Sequence, residues 1–413
     1  MSAVLDTPGA AAAIARRVVD DSFLLDPYPT YRELREAGPV HWSEEFFGGA
    51  WLLTRHADVE RVLRDPLFSV QRTGGWAKGF EGARGELREF QHVFARAMLF
   101  VDAPDHARLR DVLNAGFRPE LLQRLVPHIE HIVEKLLGDV EDVPVVDFMQ
   151  AVARPLPVQV IAKLMGLEQT GQAEFMSWSD KLAEFIGALE PSPELAREAR
   201  ASLLAMTRFF EDLLPLKRRT PGDDLLSRMV QAEANGEIHG TAELLAQCAM
   251  LLFAGHETTR NLLGNGLQAL LSHPGQWQRL QQEPSLLPGA VRELLRYDSP
   301  VQYTGRRVTT DLLLHGRLLR RGALVVPLIG SANRDPARYQ RPETLDIARN
   351  DGSSLSLGSG PHVCIGAALA RMEAGIVLRE LLRRWRDPRL TDELPRWNGN
   401  PVYRGLLTMP VRH

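Results

Sequence analysis

The stretch LGSGPHVCIG, residues 357–366, places one of the chain's two cysteines in a glycine-rich loop directly before a predicted helix. Free N–H groups and the helix dipole favour an anion at a helix N-terminus, so this pattern predicts a lowered thiol pKa and a thiolate at Cys364. Gly358, Gly360 and Gly366 let the backbone turn sharply and approach the sulfur closely. A thiolate held in this way could serve as a nucleophile, a redox sensor or a metal ligand.

The chemistry of the loop narrows these alternatives without deciding between them. A buried structural cysteine that behaves as a small hydrophobic residue is the simplest reading. A nucleophile needs a histidine base oriented by a third group, and His362 has no acid beside it in the sequence. Zinc needs three or four clustered ligands, whereas the neighbourhood offers Cys364 and His362 alone. A haem iron needs only one protein ligand, and a thiolate is a known one.

The loop and the helix after it resemble the haem-binding segment FGxGxHxCxG of the cytochrome P-450 family. Further matches follow in the family's order: DPYPTYRELREAGPVHW near the start, DAPDHARLR at 102–110, PGDDLLSRMV at 221–230, AGHETT at 254–259, ELLR at 293–296 and ANRDPARY at 332–339. The ordered set covers roughly residues 26 to 411 and is typical of the family's soluble bacterial branch. It implies a cysteine-ligated haem b, with Cys364 as axial ligand and O2 as oxidant.

The same resemblance implies the fold. We expect one haem-thiolate monooxygenase domain over residues 1–413, with about 20 flexible residues at its N-terminus. Its fold would be the triangular, mainly α fold with small β-sheets (α+β). The haem would be buried between the long central helix and the helix that follows the cysteine loop.

Two residues of AGHETT resemble the family's acid–alcohol pair, which delivers protons during dioxygen activation. Glu257 would relay protons and Thr258 would hydrogen-bond at the oxygen site, as in general acid catalysis. Gly255 and two threonines in an otherwise apolar helix predict a local distortion that opens a niche for dioxygen. If the sequence had no Cys364, the simpler interpretation of this segment would be a helix whose polar residues face a neighbouring element.

Other positions align with the family's cofactor contacts. The cationic side chains expected to hold the haem propionates are His106, Arg110, Arg306 and His362, with Arg306 preferred over Arg307. Ala254 and Gly366 are expected beside the cofactor, where the Gly366 N–H would tune the sulfur. Leu357 stands where the family usually has Phe. The aromatic ring that would pack near the thiolate is therefore missing, and this difference is expected to alter the redox potential.

Glu293 and Arg296 stand three residues apart on a predicted helix, a spacing that places them on one face. A surface ion pair is the alternative to the structural network, behind the haem, that the resemblance implies. The third member of that network is usually an arginine, and Thr344 occupies its position. Arg334 or Arg349 could replace it.

A dry pocket above the haem is expected from the resemblance. The wall residues it implies are mostly apolar and are Trp76, Phe80, Phe175, Phe185, Leu251, Val301, Gln302 and Val402. Such a lining suits a small hydrophobic substrate that is hydroxylated or epoxidised. Gln302 or Tyr303 could hold one polar group of that substrate.

Electrons would come from outside, because the sequence has no GxGxxG fingerprint and no cysteine-rich cluster. The resembled branch uses ferredoxin and an NAD(P)H-dependent ferredoxin reductase. Basic residues near the cysteine loop, such as Arg108, Arg371 and Arg379, are candidates for steering an acidic partner. A peroxide-using or rearranging haem enzyme and a haem sensor without turnover are the alternative functions.

Bulk properties agree with a cytoplasmic globular protein. The net charge of −3 disfavours general nucleic-acid binding, and no stretch approaches a membrane span. Two cysteines exclude a disulfide framework and favour a reducing compartment.

The elements that must position these residues are mostly helical. Apolar residues at three- and four-residue spacing predict helices at 120–138, 155–167, 196–215, 241–272 and 366–385. Short strands are predicted as a hairpin at 40–42 and 51–55, as two or three strands within 311–328 with turns at Gly316 and Gly322, and as a last pair within 397–411.

Overall fold

The computed structural model describes residues 14–71, 92–167, 171–188 and 191–413. Helices dominate these ranges, and we number them in chain order. They are α1 Asp21–Leu25, α2 Tyr28–Ala37, α3 His56–Arg64, α4 Asp105–Asn114, α5 Pro119–Gly138, α6 Pro155–Leu164, α7 Gln172–Gly187, α8 Pro193–Arg219, α9 Leu225–Ala234, α10 Thr241–Leu271, α11 Pro274–Gln282, α12 Leu287–Tyr297, α13 Ile329–Ala332 and α14 Ala367–Arg384. Short 3-10 turns include Met98–Phe100 and Gly360–His362.

The strands form small sheets at the edges of the helical body. They are β1 Val40–Ser43, β2 Ala50–Leu53, β3 Phe68–Ser69, β4 Val145–Asp147, β5 Arg306–Val308, β6 Leu312–Leu314, β7 Arg317–Leu319, β8 Leu324–Pro327, β9 Arg389–Leu390, β10 Arg396–Trp397, β11 Leu406–Thr408 and β12 Pro410–Arg412. The largest sheet has the order β1-β2-β8-β5-β3, and its β2–β8 pair is parallel, with Trp51 opposite Val325. The others are β4-β12-β9, β6-β7 and β10-β11.

The predicted helices are confirmed with small shifts at their ends. The segment predicted at 196–215 is longer and runs from Pro193 to Arg219, because Ser192 caps it by accepting a hydrogen bond from the Leu195 N–H at 3.1 Å. The hairpin at 40–55 and the three strands within 311–328 are also confirmed. Gly316 and Gly322 take positive φ angles of 76° and 81° at the predicted turns. The pairings of β4 and β9 with β12 were not predicted, because each strand has only two or three residues.

Helix α10 runs through the core and is buried on nearly every side. The helix is not interrupted at residues 254–259, since it is continuous from Thr241 to Leu271. The Thr258 hydroxyl donates to the Ala254 carbonyl at 2.9 Å within the helix, a contact of the kind that can bend a helix without breaking it, so the local distortion stays a prediction. Gly255 also serves packing, since a Cβ there would lie 3.0 Å from Ile161 of α6.

One large apolar cluster joins α5, α6, α8, α10, α12 and α14, and two smaller clusters lie beside the main sheet. Helix α14 packs against α5, α10 and α12, so the loop before it is carried on the most buried part of the molecule. None of the described helices combines the length and apolar character that crossing a membrane requires.

Candidate functional site

The cysteine loop is held by its own backbone and by close packing on α3. The Cys364 N–H donates to the Leu357 carbonyl at 2.8 Å, and the Val363 N–H donates to Gly360 at 3.1 Å. Gly360 has a φ of 74°, and a Cβ there would lie 3.0 Å from the Arg64 backbone. Only glycine satisfies both requirements, so the loop's position depends on it.

Cys364 faces a cavity of about 330 Å³. The residue keeps accessible surface although its sulfur lies deep in the protein, because that surface opens into the cavity. Burial raises the pKa of the Cys364 thiol, while the Gly366 N–H and Arg110 act in the opposite direction. The expected lowering of this pKa is therefore wrong for the protein alone. A coordinated metal cation deprotonates a thiol outright.

Basic side chains form part of the cavity wall. Arg110, Arg306 and His362 line it, and the His362 ring lies 3.8 Å from the His106 ring, centroid to centroid. His106 is buried, and its Nε2 has no hydrogen-bond partner among the described residues. Burial and Arg110 lower the pKa of His106. A thiol, a mostly apolar wall and several basic side chains in one cavity fit a flat apolar macrocycle with two carboxylates.

The two arginines of β5 differ in their surroundings. Arg306 is buried, and its guanidinium donates to the Gly305 carbonyl at 2.8 Å. Arg307 also reaches the cavity wall, but its guanidinium donates to the Gly322 carbonyl at 2.9 Å near the surface. Arg110 donates to the Val363 carbonyl at 2.6 Å, which ties α4 to the cysteine loop.

Helix α10 forms part of the same cavity wall as Cys364. Leu251, Ala254 and Thr258 all line the cavity, and the last two lie one turn apart. Sequence analysis placed all three beside the cofactor or substrate, and the structure brings them together with Cys364.

Glu257 does not line this cavity. It lines a second cavity of about 610 Å³, and Asp180 and Arg260 line that cavity as well. Glu257 Oε1 accepts from Arg260 at 2.6 Å and from Asn261 at 3.0 Å, while Oε2 has no partner among the described residues. Burial raises the pKa of Glu257, and Arg260 opposes that rise.

Asp180 and Arg260 were missed by the sequence analysis. The Arg260 guanidinium donates a hydrogen bond to the carboxylate of Asp180 in α7 at 2.7 Å, and Asp180 also forms an ion pair with Arg154. The spacing of Glu257 and Arg260, at i and i+3, was a signal for that pair. Nothing in the sequence indicated Asp180, because its contact depends on how α7 crosses α10.

The Glu293–Arg296 pair is buried, and Arg349 is its third member. Arg296 donates to both Glu293 oxygens at 2.7 and 2.8 Å, and Arg349 donates to Oε1 at 3.1 Å. Of the two candidates named from the sequence, Arg334 instead pairs with Glu343 at 2.8 Å. The surface ion-pair alternative is excluded by the burial of all three side chains.

Three of the predicted pocket residues line the cavity, namely Leu251, Val301 and Val402. Trp76 and Phe80 lie outside the described residues. Phe175 does not line the cavity, because its ring packs 4.8 Å from Phe209 of α8.

Phe185 and Gln302 also face elsewhere. Phe185 is buried in the core, and its neighbour Ile186 faces the cavity, since successive helical residues differ by about 100°. Gln302 lies between Val301 and Tyr303 in an extended stretch and therefore points to the opposite side. Its Nε2 donates to the Ser299 carbonyl at 2.7 Å. Lining residues that the sequence did not indicate include Phe47 and Gln247.

The fold and this cysteine-centred cavity define a haem-thiolate protein. The cytochrome P-450 family model matches residues 197–410. Cytochrome P-450 107B1 of Saccharopolyspora erythraea is 39% identical over 402 residues, which cover 95% of this chain and 96% of that protein. The cytochrome P-450 monooxygenase PikC of Streptomyces venezuelae is 36% identical, covering 94% of this chain and 92% of PikC.

Solved structures agree with this assignment. The structure of P-450 BioI with an acyl carrier protein carrying hexadec-9Z-enoic acid has a TM-score of 0.88 at 31% identity, covering 95% of this chain and all of that one. The monooxygenase TamI with tirandamycin C has a TM-score of 0.85 at 37% identity, covering 95% and 98%. The chain belongs to the cytochrome P-450 family. It is a haem monooxygenase whose haem b is ligated by a cysteine thiolate, and Cys364 supplies that thiolate.

Proposed function

We propose that this protein hydroxylates or epoxidises a small, mostly apolar substrate, with electrons from an external ferredoxin. The observation that carries the proposal is that Cys364 and Thr258 line one cavity whose remaining wall is largely apolar. None of the described residues that line it is Asp or Glu, so nothing described there favours a cationic substrate. Haem, when bound, supplies the iron at which O2 is activated.

The chain's own residues would bind different parts of the haem. His106, Arg110, Arg306 and His362 would hold the propionates. Cys364 binds iron, and the Gly366 N–H stabilises charge on its sulfur.

Thr258 and Glu257 would hold and transfer protons. The Thr258 hydroxyl faces the cavity and holds a proton at Oγ1. Glu257, buried one residue earlier, takes up and releases protons on the side of the second cavity. Burial raises its pKa, a change in the direction of the working pH that favours proton exchange.

The Glu293–Arg296–Arg349 network positions the cysteine loop through Asn333. Arg296 donates to the Asn333 carbonyl at 2.9 Å. The Asn333 side chain accepts from the Leu355 N–H at 2.8 Å and donates to Ser356 Oγ at 2.8 Å. These contacts end one residue before Leu357, where the loop begins. We therefore infer a structural, not a catalytic, role for the network.

The ferredoxin would dock where the cysteine loop reaches the surface. Arg371 of α14 is exposed there and is close enough to Cys364 to lower its pKa. Arg108 is a poor candidate for steering, because Glu243 and Asp105 already hold its guanidinium at 2.8 Å. We infer a cytoplasmic location from the proposed NAD(P)H-driven partner, and the two free cysteines support it.

We also infer a single domain. The parallel β2–β8 pair and the β4–β12 pair each join segments more than 250 residues apart in the chain. Few contacts cross the boundary between two independent domains. Helix α10, in contrast, contacts elements from both halves of the chain, as expected for one domain.

The test of thiolate ligation is the ferrous carbon-monoxide difference spectrum of the haem-loaded protein. A strongly red-shifted Soret band that Cys364→Ser abolishes is expected, and Cys248→Ser, which changes the cysteine outside the cavity, is expected to keep it. A band at the position typical of imidazole ligation in the unmodified protein would contradict the proposal. Substrate-dependent NAD(P)H consumption with a ferredoxin and its reductase then separates O2 activation from peroxide-driven chemistry.

A further inference from the structure

Gln247 is a buried polar residue on the cavity side of α10. Its amide is fully engaged by backbone groups. Oε1 accepts from the Met98 N–H at 2.8 Å, and Nε2 donates to the carbonyl of Arg96 at 2.7 Å and to that of Glu243 at 3.0 Å. Gln247 therefore joins the segment at residues 96–98 to the central helix, and its amide group is occupied by these three hydrogen bonds.

The segment that Gln247 holds also lines the cavity. Met98 and Leu99 are both wall residues, in the 3-10 turn Met98–Phe100. The backbone–backbone bonds described within this segment are local, such as the Arg96 N–H to the Val93 carbonyl at 3.1 Å and the Ala97 N–H to the Phe94 carbonyl at 3.0 Å. Local bonds shape a turn but do not fix its distance from another element.

We propose that Gln247 is a positioning residue for substrate selectivity: it holds residues 96–99 against α10, so that Met98 and Leu99 limit the size of the substrate. It also covers the Met98 N–H and the Arg96 carbonyl, which keeps this wall apolar. The inference rests on the proposed function, because it concerns the substrate cavity. Its consequence is a preference for compact apolar substrates over bulky ones.

Gln247→Met tests this in the haem-loaded protein, because methionine has similar length and volume but makes none of the three hydrogen bonds. The Met98 N–H and Arg96 carbonyl would be left buried without partners, which favours displacement of the segment towards water. Two changes are expected. Amide hydrogen exchange over residues 94–100 accelerates about tenfold. The ratio of Kd values for 4-phenylimidazole and clotrimazole, from optical titration, shifts about tenfold in favour of the bulkier clotrimazole.

Two further variants separate positioning from a general loss of stability. Leu251→Met changes the same wall from the same helix without touching these hydrogen bonds, so it is expected to leave amide exchange over 94–100 unchanged. Met98→Ala keeps the backbone bonds but removes part of the wall, so it is expected to shift the Kd ratio without faster exchange. Met98→Ala also tests the size limit if Gln247→Met does not fold.

A lowered Tm in Gln247→Met with unchanged exchange over 94–100 and an unchanged Kd ratio would overturn the inference. An unchanged Kd ratio in Met98→Ala would overturn it as well. Neither result would affect the proposed monooxygenase activity. If the unmodified haem-loaded protein bound neither azole, both the proposed substrate site and this inference would fail.

Discussion

Glu257 and Thr258 are neighbours on α10 but face two different cavities. Thr258 lines the cavity that contains Cys364, whereas Glu257 borders the one that contacts Asp180 and Arg260. The separation follows from the angle of about 100° between successive helical residues. A proton carried by Glu257 must therefore pass around the helix to reach the Thr258 side.

Glu257→Gln tests whether that passage matters. The amide keeps the size of the side chain but cannot carry a proton, so we expect product formation to fall about 100-fold, with substrate binding nearly unchanged. The readouts are product formed per O2 consumed and an optical substrate titration. Glu243→Gln is the matched control, since Glu243 is a buried α10 carboxylate that pairs with Arg108 away from both cavities. Equal losses in the two variants would remove Glu257 from proton delivery.

The Glu293 network predicts a graded loss of stability. Arg296→Leu leaves Glu293 without its two-bond partner, and we expect a loss of about 3–5 kcal/mol. Arg349→Leu keeps the Arg296 contacts and should cost about 1–3 kcal/mol. Urea unfolding of the haem-loaded protein measures both.

The control for this series is Arg320→Leu. It removes an exposed ion pair with Asp311 and should leave the stability nearly unchanged. Haem retention should fall in the same order as stability, because Arg296 holds the Asn333 carbonyl and Asn333 holds the residues before the loop. An Arg349→Leu protein as stable as the unmodified one would contradict its place in the network.

His256 predicts a pH dependence of stability. It is fully buried on α10, where burial lowers its pKa to about 4, and one ring nitrogen lies 3.2 Å from the Arg154 carbonyl. The unfolded chain, with an ordinary histidine pKa, takes up the proton first as the pH falls. The folded state thus loses stability between about pH 6.5 and pH 4.

The expected size is measurable. Between pH 7 and pH 5 the unmodified protein should lose about 2 kcal/mol more than His256→Gln, which does not titrate. Denaturant unfolding at the two pH values gives the difference. His131→Gln, which removes an exposed histidine of α5, should keep the pH dependence of the unmodified protein. The same slope in all three proteins would show that His256 does not contribute.

Local spacing explains which parts of the site could be predicted from the sequence. The cysteine loop and the Glu293–Arg296 pair are set by residues close together in the chain, so their geometry follows from turn and helix rules. Arg349 could only be named as one of two candidates, because its contact with Glu293 spans 56 residues. The side to which Phe175 points was mispredicted for a related reason. Its direction is fixed by how α7 rotates against α8, and an apolar helix with more than one buried face does not encode that rotation.

The exposed positive charge of Arg371 predicts where an acidic electron-transfer partner binds. Arg371→Glu reverses an exposed charge near Cys364, so reduction by an acidic ferredoxin should slow about tenfold at low ionic strength and less at high salt. Stopped-flow reduction under carbon monoxide measures the rate. Arg320→Glu reverses an exposed charge on the β6–β7 side and should leave the rate unchanged. Equal rates in both variants would place the docking surface elsewhere.

Leu357→Phe predicts a change in the redox potential. Leu357 lines the cavity, and its carbonyl accepts the Cys364 N–H, so an added ring would exclude water beside the sulfur without altering that backbone bond. Reduction adds one negative charge to the thiolate-ligated centre, and a drier environment disfavours that charge. We therefore expect the potential to fall by some tens of millivolts in a spectroelectrochemical titration. The Soret band of the carbon-monoxide complex should stay in place, which would show that the ligand is unchanged. A potential that rises, or that does not move, would mean that Leu357 does not control water near the sulfur.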